Sequence, residues 1–487
     1  MRNIQSMWRA SRLNVTLFRK TSFCFKTALA ILFFTFTSIA LNVNAANNEP
    51  LQVLTLKTAV EEAQLNDPWL VSNRHQQDSL ESLSVAAGSL PDPKINLGLA
   101  NLATDSFDFN QEGMTQFKVG VSQMFPRGDS LDIKKKQLEI VSSQYPLQRK
   151  NRQAEVAVQV SNIWLDAYKA QESIALIEKD RALFEQLADV AQASYSSALG
   201  KTRQQDIVRA QLELTRLDDR LAQLKQKYEM SQQQLLEWLS DGRLNDSHSH
   251  LNTKIDLSFS KQIPDIKMIK ESMYLSTENI SQRELYHSFA EHPAVMVFDK
   301  RISASNETVK LAKQQYKPEW GVNASYGVRE DSPSGMERSD LFSIGVSFDI
   351  PLFTSNRQDK QVQSAISKAS SVKTEKWLFI RKLIAAFETK RSQLIRLNQR
   401  QHLYQKRLLP QMHDQAQASL TAYTNDDGDF AEVVRSRIAE LNAVIDALNI
   451  DVERQKSIIQ LNYFFMRDIR EITLDNNQAI RSLGEVK

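Results

Sequence analysis

The residues with chemistry to offer lie in turns. Thr424-Asn-Asp-Asp-Gly-Asp429, followed by Glu432, gathers the carboxylates Asp426, Asp427, Asp429 and Glu432 between two long helical stretches. Such a group acts through its field: it makes a negative potential that favours cations. Otherwise it is an ordinary solvated turn, since Asn, Asp and Gly are good turn residues. A second turn, Gly200-Lys-Thr-Arg-Gln-Gln-Asp206, is more basic, and Lys201 and Arg203, bounded by Gly200 and Asp206, could meet a partner there. His248 and His250 are spaced so that they could bind a metal with help from elsewhere, although two histidines in a polar loop are more often solvated. Met114 and Met124 could mark a copper path, but methionine is more commonly an apolar gap filler. There is no phosphate loop, no Gly-x-Ser-x-Gly and no His-Glu-x-x-His, so no enzymatic reaction and no cofactor are expected.

These turns are held by elements that occur twice. Pro68 and Pro293, Pro93 and Pro318, and Pro126 and Pro351 are each 225 residues apart, and Val119-Gly-Val-Ser122 falls on Ile344-Gly-Val-Ser347 at the same offset. One offset kept over so long a span indicates an internal duplication. Each copy holds a pair of alternating segments, 94–101 with 116–125 and 319–328 with 341–350. Ile95, Leu97 and Leu99 point one way and Asn96, Gly98 and Ala100 the other, which puts one apolar face on each strand. The segments are near the roughly 9 to 11 residues that a tilted strand needs to cross a bilayer. Four strands are fewer than the about 8 of the smallest barrels, and a lipid-facing sheet cannot keep open edges, so a spanning barrel would require several chains.

Between and after the strands the period changes from two to seven. Val156, Val160, Ile163, Ala167, Ala170, Ile174 and Ile177 recur at intervals of four and three, and Ile207, Ala210, Leu214, Leu217, Leu221, Leu224, Tyr228, Ser231, Leu235 and Trp238 continue the pattern after the basic turn. Val434, Ile438, Leu441, Ile445, Leu448, Val452 and Ile459 repeat it in the second copy, with Gln455 as an interruption. Heptads sustained this far imply supercoiled neighbouring helices. Two hairpins are expected, 130–239 and 358–466, the first opening on a long helical stretch free of glycine and proline, except Pro146, up to Gly200, and the second on a helix from about Gln358 to Tyr423. Residues 241–290 break the periodicity and read as a connector between a first repeat, 46–240, and a second, 291–468. The segment 469–487 reads as a polar tail.

The 487 residues contain 13 Gly and 12 Pro, each under half of the usual share of about 7% and 5%, in keeping with long uninterrupted elements. Residues 1–45 have the layout of a secretory signal: six basic residues without an acid, an apolar core from Thr27 to Leu41, and Val43-Asn-Ala45 before a cut between Ala45 and Ala46. Removing those six cations takes the formal charge from +3 to −3, too near neutral to suggest nucleic acid. Cys24 lies inside the signal, so the mature chain has no thiol for disulfides, metal sites or catalysis. It also precedes the apolar core, which excludes a lipoprotein anchor at that cysteine.

Taken together, the signal, the Asp67-Pro68 and His292-Pro293 openings, the strand pairs closed by Phe125-Pro126 and Ile350-Pro351, and the paired heptad hairpins resemble the TolC family of outer-membrane efflux proteins. That resemblance implies a mainly α chain with a small transmembrane β part, a homotrimer whose three sets of four strands close a 12-stranded barrel in outer-membrane lipid, and a helical barrel across the periplasm. It implies a periplasmic adaptor and an inner-membrane pump of the RND type as partners, and a passive exit duct for small molecules or metal ions. It makes the acidic turn a constriction, with Glu432 before Val433-Val434 matching the family's carboxylate, and Gly200, Lys201, Arg203 and Asp206 an adaptor-contact tip. Leu90-Pro-Asp-Pro93, Met114 and Ser122-Gln-Met-Phe-Pro126 further resemble the heavy-metal branch typified by CusC and CzcC, although Asp129 stands where that branch commonly has Lys. The heptads alone equally suit a structural or adhesive coiled-coil surface protein with a β anchor; they disfavour a soluble binding protein.

Overall fold

A computed structural model describes residues 53–196, 203–240, 258–425 and 427–466. The expected signal with Ala45 and Ala46, Gly200, Lys201, His248, His250, Asp426 and the tail lie outside the described residues. The chain opens with α1 (Leu56–Asn66) and α2 (Pro68–Ala87), then runs through β1 (Lys94–Ala100) and β2 (Gln116–Phe125) into α3 (Ser130–Ser142), α4 (Tyr145–Ser196) and α5 (Gln204–Leu239). After α6 (Glu271–Leu275) and α7 (Gln282–Ala290) the second copy has α8 (Pro293–Lys313), β3 (Trp320–Val328), β4 (Leu341–Phe348), α9 (Gln358–Leu403), α10 (Leu409–Thr424) and α11 (Phe430–Tyr463).

The four strands form one antiparallel sheet in the order β1-β2-β3-β4, so the two copies meet along β2 and β3. Residues opposite one another share a face. Ile95, Leu97 and Leu99 oppose Val121, Val119 and Phe117, which in turn oppose Ala324, Tyr326 and Val328. Trp320, Val322, Ala324 and Tyr326 then oppose Phe348, Val346, Ile344 and Phe342. One face is therefore apolar from edge to edge, with Gln123 as the polar member of the paired set, while the other is almost wholly small or polar. The apolar face touches little of its own chain: Ile95 is 70% exposed and Ile344 71%. Aromatic side chains form a row at each end of it, Phe125, Trp320 and Phe348 beside the helices and Phe117, Tyr326 and Phe342 beside the loops. Six residues separate Phe342 from Phe348, or about 20 Å of strand. An apolar band between two aromatic girdles is how a strand meets a bilayer and its two interfaces.

At the loop end, Arg338 of the second hairpin donates to the carbonyls of Asn110 (3.1 Å) and Glu112 (3.3 Å) of the first, and Arg329 donates to that of Gly113 (3.2 Å). At the helix end, Arg127 donates to Lys317 O at 2.7 Å and pairs with Asp349, whose other oxygen accepts Glu319 N at 2.8 Å. Gly128 has φ +47°, a left-handed conformation that strains any residue with a Cβ, so this turn favours glycine. Asp129, the departure from Gly-Lys, is matched by Lys317 at 2.8 Å.

Below the sheet, α3 packs between α2 and α8, and α8 against α9 and α4. The heptad positions of α4 and α5 are turned inward, with Val160, Ala167, Ile177 and Leu235 fully buried. Two helices differ from the sequence expectation. The helix from Ser130 breaks between Ser142 and Tyr145, which puts Pro146 in a first turn, where its missing N–H costs nothing. The helix from Gln358 contains a π turn, Tyr404–Leu408, directly before Pro410, whose ring cannot accommodate the carbonyl four residues back.

The connector is a strap. Leu54 N donates to Ser258 O (2.8 Å), and Phe259 packs edge-on against Trp164 and Tyr228, fixing the strap to α4 and α5. It then crosses to α11, where Ile266 N meets Gln455 Oε1 (3.4 Å), and Asn462 accepts Ile269 N (3.0 Å) and donates to Lys267 O (2.8 Å). Tyr274, Leu285 and Phe289 close it over Phe387 and Phe464.

The equivalent residues Asp67 and His292 are both buried caps, each followed by a proline in the first helical turn. Asp67 accepts Trp69 N (3.0 Å) and Arg152 Nε (2.7 Å), and Arg152 lies over the Trp69 and Trp238 rings. His292 Nδ1 accepts Ala294 N (3.2 Å), which leaves Nε2 to carry the proton and donate to Tyr463 O (3.1 Å). Burial lowers the His292 pKa from 6.5 to about 4, against the opposing hydrogen bond to Tyr463. The unfolded chain then binds the proton first, so stability is full above pH 6.5 and falls as the pH drops towards 4, by up to about 3 kcal/mol. Denaturation followed against pH should show that slope, and His292→Asn, which can cap without titrating, should flatten it.

Candidate functional site at the helical tips

The turns that the sequence singles out lie at the far ends of the two hairpins and rest on a common apolar cluster. Ile177, Phe184, Leu187 and Ala191 of α4 and Ile207 and Ala210 of α5 join Phe430, Val433 and Val434 of α11. Tyr423 at the end of α10 closes edge-on against Phe430, with ring centres 5.6 Å apart. The acidic turn is tight. Asn425 N returns to Thr421 O (3.1 Å), Asp427 N to Ala422 O (2.9 Å), and a Cβ on Gly428 would lie 2.6 Å from Tyr423 N.

The two turns are repeats of one another that have diverged. At an offset of 226, Arg203 corresponds to Asp429, Asp206 to Glu432, Ile207 to Val433 and Arg209 to Arg435. In the first copy Asp206 folds back to accept Arg203 N at 3.0 Å, satisfying a backbone donor at the helix start. Asp206 is only 4% exposed, its carboxylate committed to the backbone, while Arg203 stays exposed. In the second copy Asp429 takes over as the cap, its Oδ1 accepting Ala431 N at 3.2 Å. Glu432, at the position of Asp206, instead has a side chain 41% exposed that pairs with Arg435 one turn on. Asp427 is exposed as well. A surface pair of this kind is worth at most about 1 kcal/mol, so Glu432 remains available to the solvent and to ions.

Behind the acidic turn lies a polar layer that the heptad reading passes over. Arg437 pairs with Glu440 (2.8 Å) and donates to Gln417 of α10 (3.3 Å), and His413 meets the other oxygen of Glu440 (2.7 Å). Burial, and then Glu440, raise the pKa of Asp180 on α4. Arg437 Nε is buried without a hydrogen-bond partner. The sequence signal for the layer was the charged pair Arg437 and Glu440 at i,i+3, flanking the heptad residues Ile438 and Leu441.

The remaining candidates do not converge. Met114 is an exposed loop residue, and Met124 lies on the small-residue face opposite Gly321, so most of β2 separates them, about 30 Å of strand. Among the described residues no three His, Cys, Asp or Glu side chains are grouped to hold a metal ion. No described helix is long and apolar enough to cross a membrane.

The capping role separates structure from charge at Asp429. Asp429→Ala should cost about 1 kcal/mol and increase amide exchange at the start of α11, while Asp429→Asn keeps the cap and should stay within a few tenths. Equal exchange in both variants would remove Asp429 from the cap.

No protein-family model and no curated protein matches the sequence. Solved structures do. The fold is similar to CusC at 14% identity and a TM-score of 0.65, over 84% of this chain and 91% of that one. It is similar to the CmeC outer membrane channel of Campylobacter jejuni at 12% identity and 0.68, over 88% and 89%. It is also similar to the MtrE outer membrane channel of Neisseria gonorrhoeae, solved in an open state, at 12% and 0.63, over 85% and 90%. With the apolar sheet face, the duplicated hairpins and the strap already in place, the chain has the fold of the TolC-type outer-membrane efflux channels.

Proposed function

We propose that this protein is a passive, homotrimeric exit duct in the outer membrane, membership of the TolC family included. Its signal would be removed between Ala45 and Ala46, its strands would contribute to a 12-stranded barrel, and its hairpins would line a helical barrel across the periplasm. An inner-membrane pump of the RND type and a periplasmic adaptor supply energy and cargo, and the duct catalyses nothing. The observation that carries this reading is the sheet: one face apolar across all four strands and bounded by aromatic rows, the other small and polar. Such a sheet fits a wall between lipid and water. The likeness to outer-membrane channels supports it.

In this reading Asp427, Asp429 and Glu432, with Asp426, form a constriction at the periplasmic end. Three chains multiply them into a ring that attracts cations and narrows the pore. Arg203, with Gly200 and Lys201, presents the adaptor-facing tip. Metal ions or small organic molecules are selected by the pump, and the similarity to CusC, at 14% against 12% for the other two, does not single out a metal cargo.

Purified protein in planar bilayers should conduct ions and run on gels as a heat-modifiable trimer; a solid coiled-coil adhesin would do neither. Replacing Asp426, Asp427 and Asp429 by Asn and Glu432 by Gln should raise conductance and weaken block by multivalent cations without unfolding the tip. An unchanged block would retire the constriction. Deleting the chromosomal copy and measuring growth on copper, silver, zinc, cobalt and cadmium against dyes and detergents identifies the cargo: sensitivity confined to metals assigns a metal pump, and sensitivity to dyes assigns a multidrug one.

A further inference from the structure

The charge of the sheet is all of one sign. The strands β1 to β4 contain two charged residues, Lys94 and Lys118, and no acid. Both stand on the small, polar face: Lys94 opposes Ser122, and Lys118 lies between Gly98 and Gly327. Most of that face is glycine, alanine, serine or asparagine, so these two stems reach farthest from it. Lys118 is exposed, and a Cβ added at Gly98 would meet nothing within 4 Å, so the lysine does not lie down on its neighbour but stands off the sheet. Neither lysine has a carboxylate partner among the described residues. The carboxylates just below the strands, Glu319 and Asp349, face Arg127 instead.

A lysine on an edge strand commonly blunts that edge. Lys118 has no such task, because β2 is an interior strand paired on both sides. Its ammonium group gains neither packing nor an ion pair from its own chain, so what it supplies is charge. In the proposed duct the polar face is the wall of the lumen. Twelve strands spaced about 4.8 Å apart and tilted about 40° enclose a backbone radius of about 12 Å. The four-carbon stem of a lysine crosses a good part of that radius, which brings a passing ion within about one screening length, roughly 8 Å, of an ammonium group. Lys94 lies level with Ser122, four residues along β2 from Lys118, so the two form successive levels about 13 Å apart. The first loop beyond them has three acids, Asp105, Asp108 and Glu112, and no base. The lysines thus make a positive segment between an acidic mouth and the acidic tips.

We propose that Lys118 and Lys94 of three chains line the lumen of the β part as two levels of ammonium groups, and that this segment binds small multivalent anions bearing phosphate or carboxylate groups while opposing free multivalent cations. The inference rests on the trimeric duct reading above and adds the charge of its barrel. The duct then has opposite preferences along its length: carboxylates at the tips favour cations, and the barrel favours anions.

Planar bilayers under a KCl gradient read this charge directly, with citrate as the multivalent anion. Lys118→Gln combined with Lys94→Gln should move the reversal potential towards that of a more cation-selective pore, and the citrate concentration that halves the conductance should rise about tenfold or more. Lys118→Arg combined with Lys94→Arg keeps the charge and should match the unaltered protein in both readings. Trimer mobility on gels should be the same in all three proteins, since the ammonium groups hold nothing together. An unaltered protein that conducts without citrate block, or a Gln variant that conducts with the original reversal potential and block, overturns the lysine segment and leaves the duct intact. Loss of block in the Arg variant as well as the Gln variant makes the effect one of shape, not charge, and overturns the proposal too. Absence of conductance in the unaltered protein overturns the duct reading itself.

Discussion

A backbone amide or carbonyl that faces hydrocarbon has no water to bond, and each one left unpaired costs several kcal/mol. In the proposed duct that constraint governs the sheet. Within one chain it is met by the ladders from β1 to β4, which leave the outer sides of β1 and β4 to be paired between chains. The apolar face cannot be covered by the chain's own helices, because both copies send their helices away from the same end of the strands. In the proposed duct further copies complete the sheet, and duplication supplies the template, since a chain that already pairs one copy to the next has solved the geometry of closure once.

Duplication also shows which problems are fixed and which solutions are free. The start of α2 and the start of α8 each need a buried cap before a proline; one copy uses Asp67 neutralised by Arg152, the other a neutral His292 on Tyr463 O. The starts of α5 and α11 each need an acceptor for the first amides, met by Asp206 in one and Asp429 in the other. In each case the backbone demand is the same and the side chain is exchangeable.

Much of this was legible in the sequence because it is periodic. The two-residue alternation of Phe342, Ile344, Val346 and Phe348 gave the face, and the heptads of α4, α5 and α11 gave the inward stripe, down to Ser231 and Leu235. What was not legible is aperiodic. The strap is anchored by Gln455 and Asn462, and a polar residue at a stripe position reads as a flaw until the backbone it serves is in place. The breaks at Pro146 and Pro410 follow from local sterics, but one becomes a helix start and the other a π turn according to what packs around it. At the tips composition gave four carboxylates and spacing could not rank them. Asp206 and Glu432 occupy equivalent positions, yet one is buried on Arg203 N and the other half-exposed against Arg435.

The strap divides the helices into regions held in different ways. At its level α4 and α11 accept hydrogen bonds from its backbone, Arg391 of α9 donates to Glu278 O, Tyr228 of α5 packs on Phe259, and Tyr274, Phe289, Phe387 and Phe464 form an aromatic cluster. At the tips the hairpins meet through the aliphatic and aromatic cluster around Ile177, Phe184 and Val433, with the Arg437 and Glu440 layer behind it. Apolar contacts are non-directional, so helices packed this way can slide by a fraction of a turn and repack, whereas the strap's bonds to Gln455 and Asn462 would have to break. In the proposed duct a constriction at the tips can then widen while the level of the strap stays fixed. There the field of the carboxylates weakens as they move apart, with a screening length of roughly 8 Å at physiological salt. Position and charge thus act on the same few residues: a small shear at the end of a long, well-held lever changes both the width of the opening and its attraction for cations.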